Sequence, residues 1–179
     1  MLRKILPLLI LVCMAGCQCS GQERNNTRQR TTSPSDDRIQ AQRDFLKKER
    51  KSIQSYISDR KLEVMKSGTG LYYSLLEDST AQMQVNSGDE VLFEYDIYML
   101  NGSLLYSSEE NKPRLLLVDK EDAEIGLHES LKLLGLGDKG LFILPSHLAF
   151  GVAGDQNKVP PKTALVYELK ILKIIKSKS

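Results

Sequence analysis

Two stretches of alternating residues constrain the fold of this chain more than any other feature. They span residues 91–99 and 165–171, and in each of them every second residue is apolar or aromatic. A period of two places alternate side chains on the same face, which is typical of a strand with one buried face. Asn101-Gly102 follows the first stretch, and this dipeptide is a strong signal for the turn of a β-hairpin. We therefore predict an antiparallel sheet.

Shorter segments add further strands and one short helix. The other strand candidates are residues 62–66, 71–76, 114–118, 140–144 and 164–175, the last of which contains the second alternating stretch. Between residues 125 and 134, Leu127, Leu131 and Leu134 share one helical face, and Gly135 and Gly137 end the pattern. Several strands with a single short helix predict an α+β fold.

An N-terminal helical extension is predicted over residues 36–61, with Ser35 or Asp36 as its N-cap. Ile39, Leu46 and Ile53 recur every seven residues and give the helix a narrow apolar stripe, while Arg60 and Lys61 would lie in the last turn. Two interpretations stay open for the stripe. It mediates a homodimer through residues 36–61, or it packs against its own domain.

The first 16 residues read as a targeting segment. Arg3 and Lys4 precede an apolar run that is too short to span a bilayer. Met14-Ala15-Gly16-Cys17 then resembles the lipobox of bacterial lipoprotein signal peptides, in which the cysteine is acylated. We expect a signal peptide at 1–16, a membrane anchor through lipid on Cys17 and a flexible tether at 17–35. The alternative is an ordinary secretory signal peptide.

Charge and composition argue against several kinds of partner. Residues 62–179 carry 12 basic and 17 acidic side chains, and an acidic domain does not favour nucleic acid as a ligand. His128 and His147 stand apart from any Cys or acidic ligand pattern, so we predict no metal site and no cofactor. No acidic run follows Cys17, which favours a lipoprotein of the outer membrane that faces the periplasm.

The order of landmarks along residues 62–175 resembles that of FK506-binding-protein-type prolyl isomerases. The landmarks are Gly88-Asp89, a strand with Tyr95, Asn101-Gly102, Ser107-Ser108, Lys112-Pro113, Gly126-Leu127, Gly137-Asp138-Lys139, Pro145, Ala149-Phe150-Gly151, Val159-Pro160-Pro161 and the final strand. The resemblance implies a curved antiparallel sheet wrapped around one short helix, with a shallow apolar pocket between them. It also implies cis/trans isomerisation of X-Pro bonds in polypeptide substrates by a domain spanning 62–179.

The same resemblance assigns the site residues. It places Tyr95, Leu105, Tyr106, Phe150 and Tyr167 in the catalytic pocket, and Arg114, Ala123, Glu124, Leu127 and Val159 in substrate binding. The chain departs from the family pattern at several of these positions. Leu105-Tyr106 stands where the family usually has Phe-Asp, Arg114 lies near a pocket Phe, and Phe150 replaces a Tyr. These changes predict that the scaffold is kept and that activity is reduced.

The expected function is a prolyl isomerase of the bacterial envelope that assists the folding of exported proteins. Anchor, tether and helix together resemble the gliding-motility-associated lipoprotein branch of the family, which suggests a link to gliding motility. The alternative is a non-catalytic chaperone or adaptor lipoprotein that binds Pro-containing segments.

Overall fold

The computed structural model of the chain describes residues 34–81 and 83–177. The elements are α1 (Pro34–Asp59), β1 (Met65–Lys66), β2 (Tyr72–Glu77), β3 (Glu90–Met99), β4 (Leu104–Ser107), α2 (Ser108–Asn111), β5 (Arg114–Leu117), α3 (Ile125–Lys132), β6 (Lys139–Leu144), a 3-10 turn (Ser146–Leu148) and β7 (Leu165–Ile175). The predicted signal peptide, Cys17 and nearly all of the predicted tether lie outside the described residues. No helix within the described ranges combines the length and apolar character needed to cross a membrane.

The seven strands form one antiparallel sheet in the order β1-β2-β6-β7-β3-β4, and β5 also pairs with β3. The predicted α+β class and the antiparallel sheet are confirmed. β3 and β7 are the longest strands and pair along their whole length, as the two alternating stretches predict. The strand predicted over 62–66 is shorter than expected, since only Met65 and Lys66 are in β1.

The sheet has a buried cluster on each face. On one face, α3 packs on a core that includes Phe93, Phe142 and Tyr167. Gly126 lets α3 approach β6 closely, because a Cβ atom there would lie 2.6 Å from Cδ2 of Leu144. On the other face, Ile53 of α1 packs with a second cluster formed by Leu141, Ile143, Ala164 and Val166. Both faces of β6 and β7 are therefore covered, which explains their nearly continuous apolar sequence.

The helix α1 begins and ends two residues earlier than predicted. Pro34 lies in the first turn, a position that suits proline because the first N–H groups of a helix have no partner inside it. The helix ends at Asp59, so its last turn holds no basic residue. Lys61 has a φ of 51°, and the N–H of Leu62 donates to the carbonyl of Ile57 at 3.0 Å. This left-handed residue closes the helix as a glycine often does.

The apolar stripe of α1 is divided between two environments. Ile53 is 1% exposed, and Tyr56 and Ile57 pack against the same cluster on the sheet. Ile39 and Leu46 are 51% and 41% exposed. The second half of the stripe therefore packs on its own domain. A homodimer through residues 36–61 stays a prediction, and only the first half of the stripe is free to form it.

Candidate functional site

A cavity of about 280 Å³ opens between the sheet and the first turn of α3. Its walls come from β3, β4, β5, β7, α3 and the loop that joins the 3-10 turn to β7. The lining residues are Phe93, Tyr95, Ile97, Tyr106, Arg114, Glu124, Leu127, Phe150, Asp155 and Tyr167. Most of these side chains are aromatic or aliphatic, and the charged groups are Arg114, Glu124 and Asp155.

β3 contributes three lining residues. Phe93, Tyr95 and Ile97 occupy every second position of the strand, so their side chains share the face that borders the cavity. The rings of Phe93 and Tyr95 are 6.2 Å apart and tilted by 57°. β5 pairs with the first half of β3 and β4 with the second half. Between them, the N–H of Tyr95 donates to Oγ of Ser108 at 3.0 Å. The Ser108 hydroxyl is thus the hydrogen-bond acceptor for a β3 N–H that lies between the segment paired with β5 and the segment paired with β4.

Tyr106 and Asp155 tie β4 to the long loop before β7. The Tyr106 hydroxyl donates to Oδ2 of Asp155, and the N–H groups of Asn157 and Val159 donate to Oδ1 at 2.9 and 2.7 Å. Burial alone would raise the pKa of Asp155, but these hydrogen bonds outweigh it and the pKa is lowered. Burial, and then the bond to Asp155, raises the pKa of Tyr106. The pair is therefore a neutral phenol and a carboxylate at neutral pH.

Lys158 strengthens the same connection. Its ammonium group donates to the carbonyl of Leu105 at 2.8 Å and lies 5.0 Å from the centre of the Tyr106 ring. The loop that carries Asp155 is thus fixed to β4 by two side chains of opposite charge.

Tyr167 and Glu124 form a second polar contact in the cavity wall. The Tyr167 side chain is 1% exposed, and its hydroxyl donates to Oε1 of Glu124 over a long 3.4 Å. Burial, and then the negative charge of Glu124, raises the pKa of Tyr167 well above its ordinary value. The hydroxyl is therefore a neutral donor in the wall.

The 3-10 turn positions Phe150 in the wall of the cavity. The carbonyl of Ser146 accepts hydrogen bonds from the N–H groups of Ala149 and Gly151, which flank Phe150. The N–H of Ser146 donates to Oε1 of Glu49 on α1 at 2.9 Å, and Glu49 is buried there. α1 thus reaches the candidate site through this turn, a contact that the sequence did not indicate.

Seven of the ten residues predicted for the site line this cavity: Tyr95, Tyr106, Arg114, Glu124, Leu127, Phe150 and Tyr167. The other three do not. Leu105 and Val159 are 6% and 3% exposed and belong to the main core, and Ala123 packs against the same core from the loop before α3.

Three lining residues were not predicted, namely Phe93, Ile97 and Asp155. Phe93 and Ile97 were recognisable as neighbours of Tyr95 at a spacing of two residues on a buried strand face. Asp155 lies in a loop whose sequence gives no indication of where its side chain points. Among the described residues, no group of three or more His, Cys, Asp or Glu side chains is arranged to hold a metal ion.

Comparison with known proteins gives consistent matches. The human peptidyl-prolyl cis-trans isomerase FKBP9 is 28% identical over 89 residues, which is 49% of this chain and 16% of FKBP9. The probable FKBP-type isomerase FkpA of Neisseria meningitidis is 28% identical over 111 residues, covering 62% of this chain and 40% of the relative. FK506-binding protein 1B of Aspergillus fumigatus is 26% identical over 113 residues, or 59% of this chain and 94% of that protein.

The fold has a solved counterpart as well. The crystal structure of FkpA from Escherichia coli matches with a TM-score of 0.64 and 25% identity, over 80% of this chain and 67% of that one. This chain therefore spans only a small part of the human relative and about two thirds of the bacterial structure. The family model for FKBP-type peptidyl-prolyl cis-trans isomerases matches residues 76–172, which contain every residue that lines the cavity. The chain therefore belongs to the FKBP-type peptidyl-prolyl cis-trans isomerase family.

Proposed function

We propose that this protein catalyses the cis/trans isomerisation of X-Pro peptide bonds. The observation that carries the proposal is the cavity itself, in which Tyr95, Phe150 and Tyr167 present aromatic rings in a member of this family. The uncatalysed reaction faces a barrier of about 18–20 kcal/mol and takes tens to hundreds of seconds. A protein that lowers this barrier accelerates a slow step of folding.

The mechanism that fits this cavity requires only that the cavity bind the twisted transition state of the amide more tightly than its planar ground state. The planar amide is stabilised by resonance and is strongly dipolar, whereas the twisted transition state has lost that resonance. Apolar walls from Phe93, Ile97 and Leu127 disfavour the dipolar ground state more than the twisted amide. The aromatic rings hold the proline ring, and we assign the backbone N–H of Glu124 as donor to the flanking peptide. The cavity is then complementary to the twisted conformer.

The test uses the full-length chain in mild detergent and an X-Pro peptide of roughly 1 mM, with exchange between its cis and trans forms followed by NMR. We expect micromolar protein to raise the exchange rate clearly above background. A folded protein, as judged by circular dichroism, that leaves the rate unchanged would refute the proposal.

A second candidate function is binding of Pro-containing segments without turnover. Arg114 and Glu124 favour it, because both add charged groups to the wall of a cavity whose lining is mostly aromatic or aliphatic. Leu105-Tyr106, in place of the family's usual Phe-Asp, points the same way. One experiment distinguishes the two candidate functions. A binder shifts the NMR signals of the peptide on titration and leaves its cis/trans exchange rate unchanged.

We further propose that the protein is a lipoprotein of the outer membrane, faces the periplasm and assists the folding of exported proteins. The support is the leader, with Arg3 and Lys4, a short apolar run and Cys17 after Ala15-Gly16. Two or more acyl chains would anchor the chain stably. Metabolic labelling with palmitate tests this directly. The chain should incorporate label and sediment with membranes, and Cys17→Ser should abolish both.

The proposed link to gliding motility rests on the combination of anchor, tether and helix ahead of the domain. It predicts a role as an adaptor in an envelope assembly. Cross-linking in cells would then capture one stoichiometric partner. A broad set of substoichiometric exported proteins would instead favour a general folding factor.

A further inference from the structure

One carboxylate oxygen in the cavity has no hydrogen-bond partner. Glu124 is the N-cap residue of α3, but its side chain makes no capping hydrogen bond to the helix. Oε1 accepts the 3.4 Å bond from Tyr167. Across residues 34–81 and 83–177, Oε2 of Glu124 is the one buried side-chain oxygen or nitrogen that lacks any partner. The side chain of Glu124 therefore does not cap the helix, and Glu124 is one of the residues that line the cavity.

Such an oxygen is costly to the folded protein. A buried acceptor without a donor loses its hydration and gains nothing in return, and a charged acceptor loses more than a neutral one. Unsatisfied buried groups are rare in native structures. Because Glu124 lines the cavity, a ligand that supplies a donor to its carboxylate would remove this cost, which makes this side chain a specificity determinant of the cavity.

The other charged groups of the cavity do not satisfy Glu124. The carboxylate of Asp155 already accepts bonds from Tyr106 and from two backbone N–H groups. The side chain of Arg114 is 36% exposed and makes its ion pair with Glu121, at 4.0 Å. Within the described part of the chain, no Lys, Arg or His nitrogen lies within 4.0 Å of the Glu124 carboxylate.

We infer that the cavity prefers prolyl peptides in which the residue beside the proline is Lys or Arg, with the cationic group bound by the Glu124 carboxylate after this side chain rotates to bring Oε2 to the cavity surface. This inference rests on the proposed function. A charged donor bonds a carboxylate more strongly than a neutral one does. The flexible stems of Lys and Arg allow the cation to enter from a neighbouring position while the proline ring occupies the aromatic walls.

The test compares peptides that differ in one charge. Two series are used, with Lys or norleucine placed directly before or directly after the proline, since norleucine keeps the stem and removes the cation. Cis/trans exchange by NMR gives kcat/KM for each peptide with the full-length protein at low ionic strength. We expect the Lys peptide to exceed its norleucine partner by about 3- to 10-fold in one of the two series, and the preference to shrink as salt is added.

Substitutions at Glu124 assign the preference to this carboxylate. Glu124→Gln keeps the shape and removes the charge, and it should bring the ratio of Lys to norleucine below about 2-fold. Glu124→Lys should reverse the preference toward a Glu-containing peptide. The matched control is Asp122→Asn, which removes an exposed negative charge two residues away and should leave the ratio unchanged.

Each other outcome has a definite reading. Equal rates for Lys and norleucine in both series would overturn the inference and leave the proposed isomerase intact. A preference that survives Glu124→Gln, or that falls equally in Asp122→Asn, would overturn it too, since the charge would then act from elsewhere. If no peptide is accelerated, the proposed isomerase has failed instead. The Lys preference is then measured from peptide affinities by NMR titration, where equal affinities would overturn the inference.

Discussion

At the scale of single residues, the bond between Tyr106 and Asp155 joins the cavity's edge strand to its long loop. Removing the hydroxyl in Tyr106→Phe leaves the carboxylate with two backbone donors and deprives Asn157 Nδ2 of its acceptor. We predict a loss of about 1–2 kcal/mol in the free energy of unfolding at pH 7, because a hydrogen bond to a charged group is lost. Urea denaturation measures it. The control is Tyr98→Phe, whose hydroxyl makes no hydrogen bond within the described residues and should cost less than about 0.5 kcal/mol.

The stabilising effect of this bond depends on pH in a defined direction. The pKa of Asp155 is lowered in the folded protein, so its contribution is present above the unfolded pKa of about 3.9 and is lost as pH falls through the lower folded value. The difference between wild type and Tyr106→Phe should therefore stay constant from pH 7 to 5 and shrink as the pH falls through the lowered folded pKa of Asp155. A difference that grows as the pH falls below 5 would contradict this direction.

Phe150 contributes one aromatic wall and is only half-buried, so its role in binding can be separated from stability. We predict that Phe150→Ala lowers kcat/KM for X-Pro peptides by about 10-fold, because the proline ring loses an apolar surface in the transition state. Val152→Ala in the same loop is the control, since Val152 is 74% exposed and does not line the cavity. If the two substitutions lower kcat/KM equally, Phe150 does not contribute to substrate binding.

At the scale of elements, the sequence predicts best what hydrophobic periodicity encodes. β3 and β7 follow from their alternation, and α3 from its leucine spacing, because burial of one face or stripe determines these patterns. The short helix α2 was not predicted, since four residues carry no period and its start depends on Ser107 accepting the N–H of Glu109. The role of Ser108 beneath Tyr95 depends on the pairing of three strands, which no local pattern reveals.

The hydrogen bond between Glu49 of α1 and Ser146 of the 3-10 turn connects the N-terminal helix to the candidate site. We predict that Glu49→Ala destabilises the protein by about 1–3 kcal/mol, because the buried N–H of Ser146 loses its acceptor. It should also lower kcat/KM roughly threefold or more, since the carbonyl of Ser146 fixes the N–H groups on both sides of Phe150. Denaturation and peptide exchange measure the two effects.

Two matched variants interpret this result. Glu49→Gln keeps an acceptor at the same place and should recover most of the stability and activity. Lys51→Ala changes an exposed residue of the same helix and should be neutral. If Glu49→Ala lowers stability and leaves kcat/KM unchanged, α1 holds the fold together without positioning Phe150.

At the scale of the whole molecule, the sheet is covered on both faces. The sequence predicts the packing on the cavity face better than the packing on the opposite face. The cavity face follows the family pattern, and seven of its ten lining residues were named from it. The opposite face was left undecided, since a stripe of three heptad positions fits a partner helix as well as a sheet. Asp155 shows the same limit at the site, because its carboxylate is bonded to Tyr106, which lies 49 positions earlier in the sequence.

The last prediction compares two apolar residues of α1 that share the stripe and differ in burial. Ile53 is 1% exposed against the sheet, and Leu46 is 41% exposed. Ile53→Ala should lower the free energy of unfolding by about 2–4 kcal/mol through lost contacts and a cavity, whereas Leu46→Ala should stay within about 0.5 kcal/mol. Urea denaturation at two protein concentrations decides the matter. A large, concentration-dependent cost for Leu46→Ala would contradict the prediction and show that this half of the stripe forms the homodimer, because only an interface between chains makes stability depend on concentration.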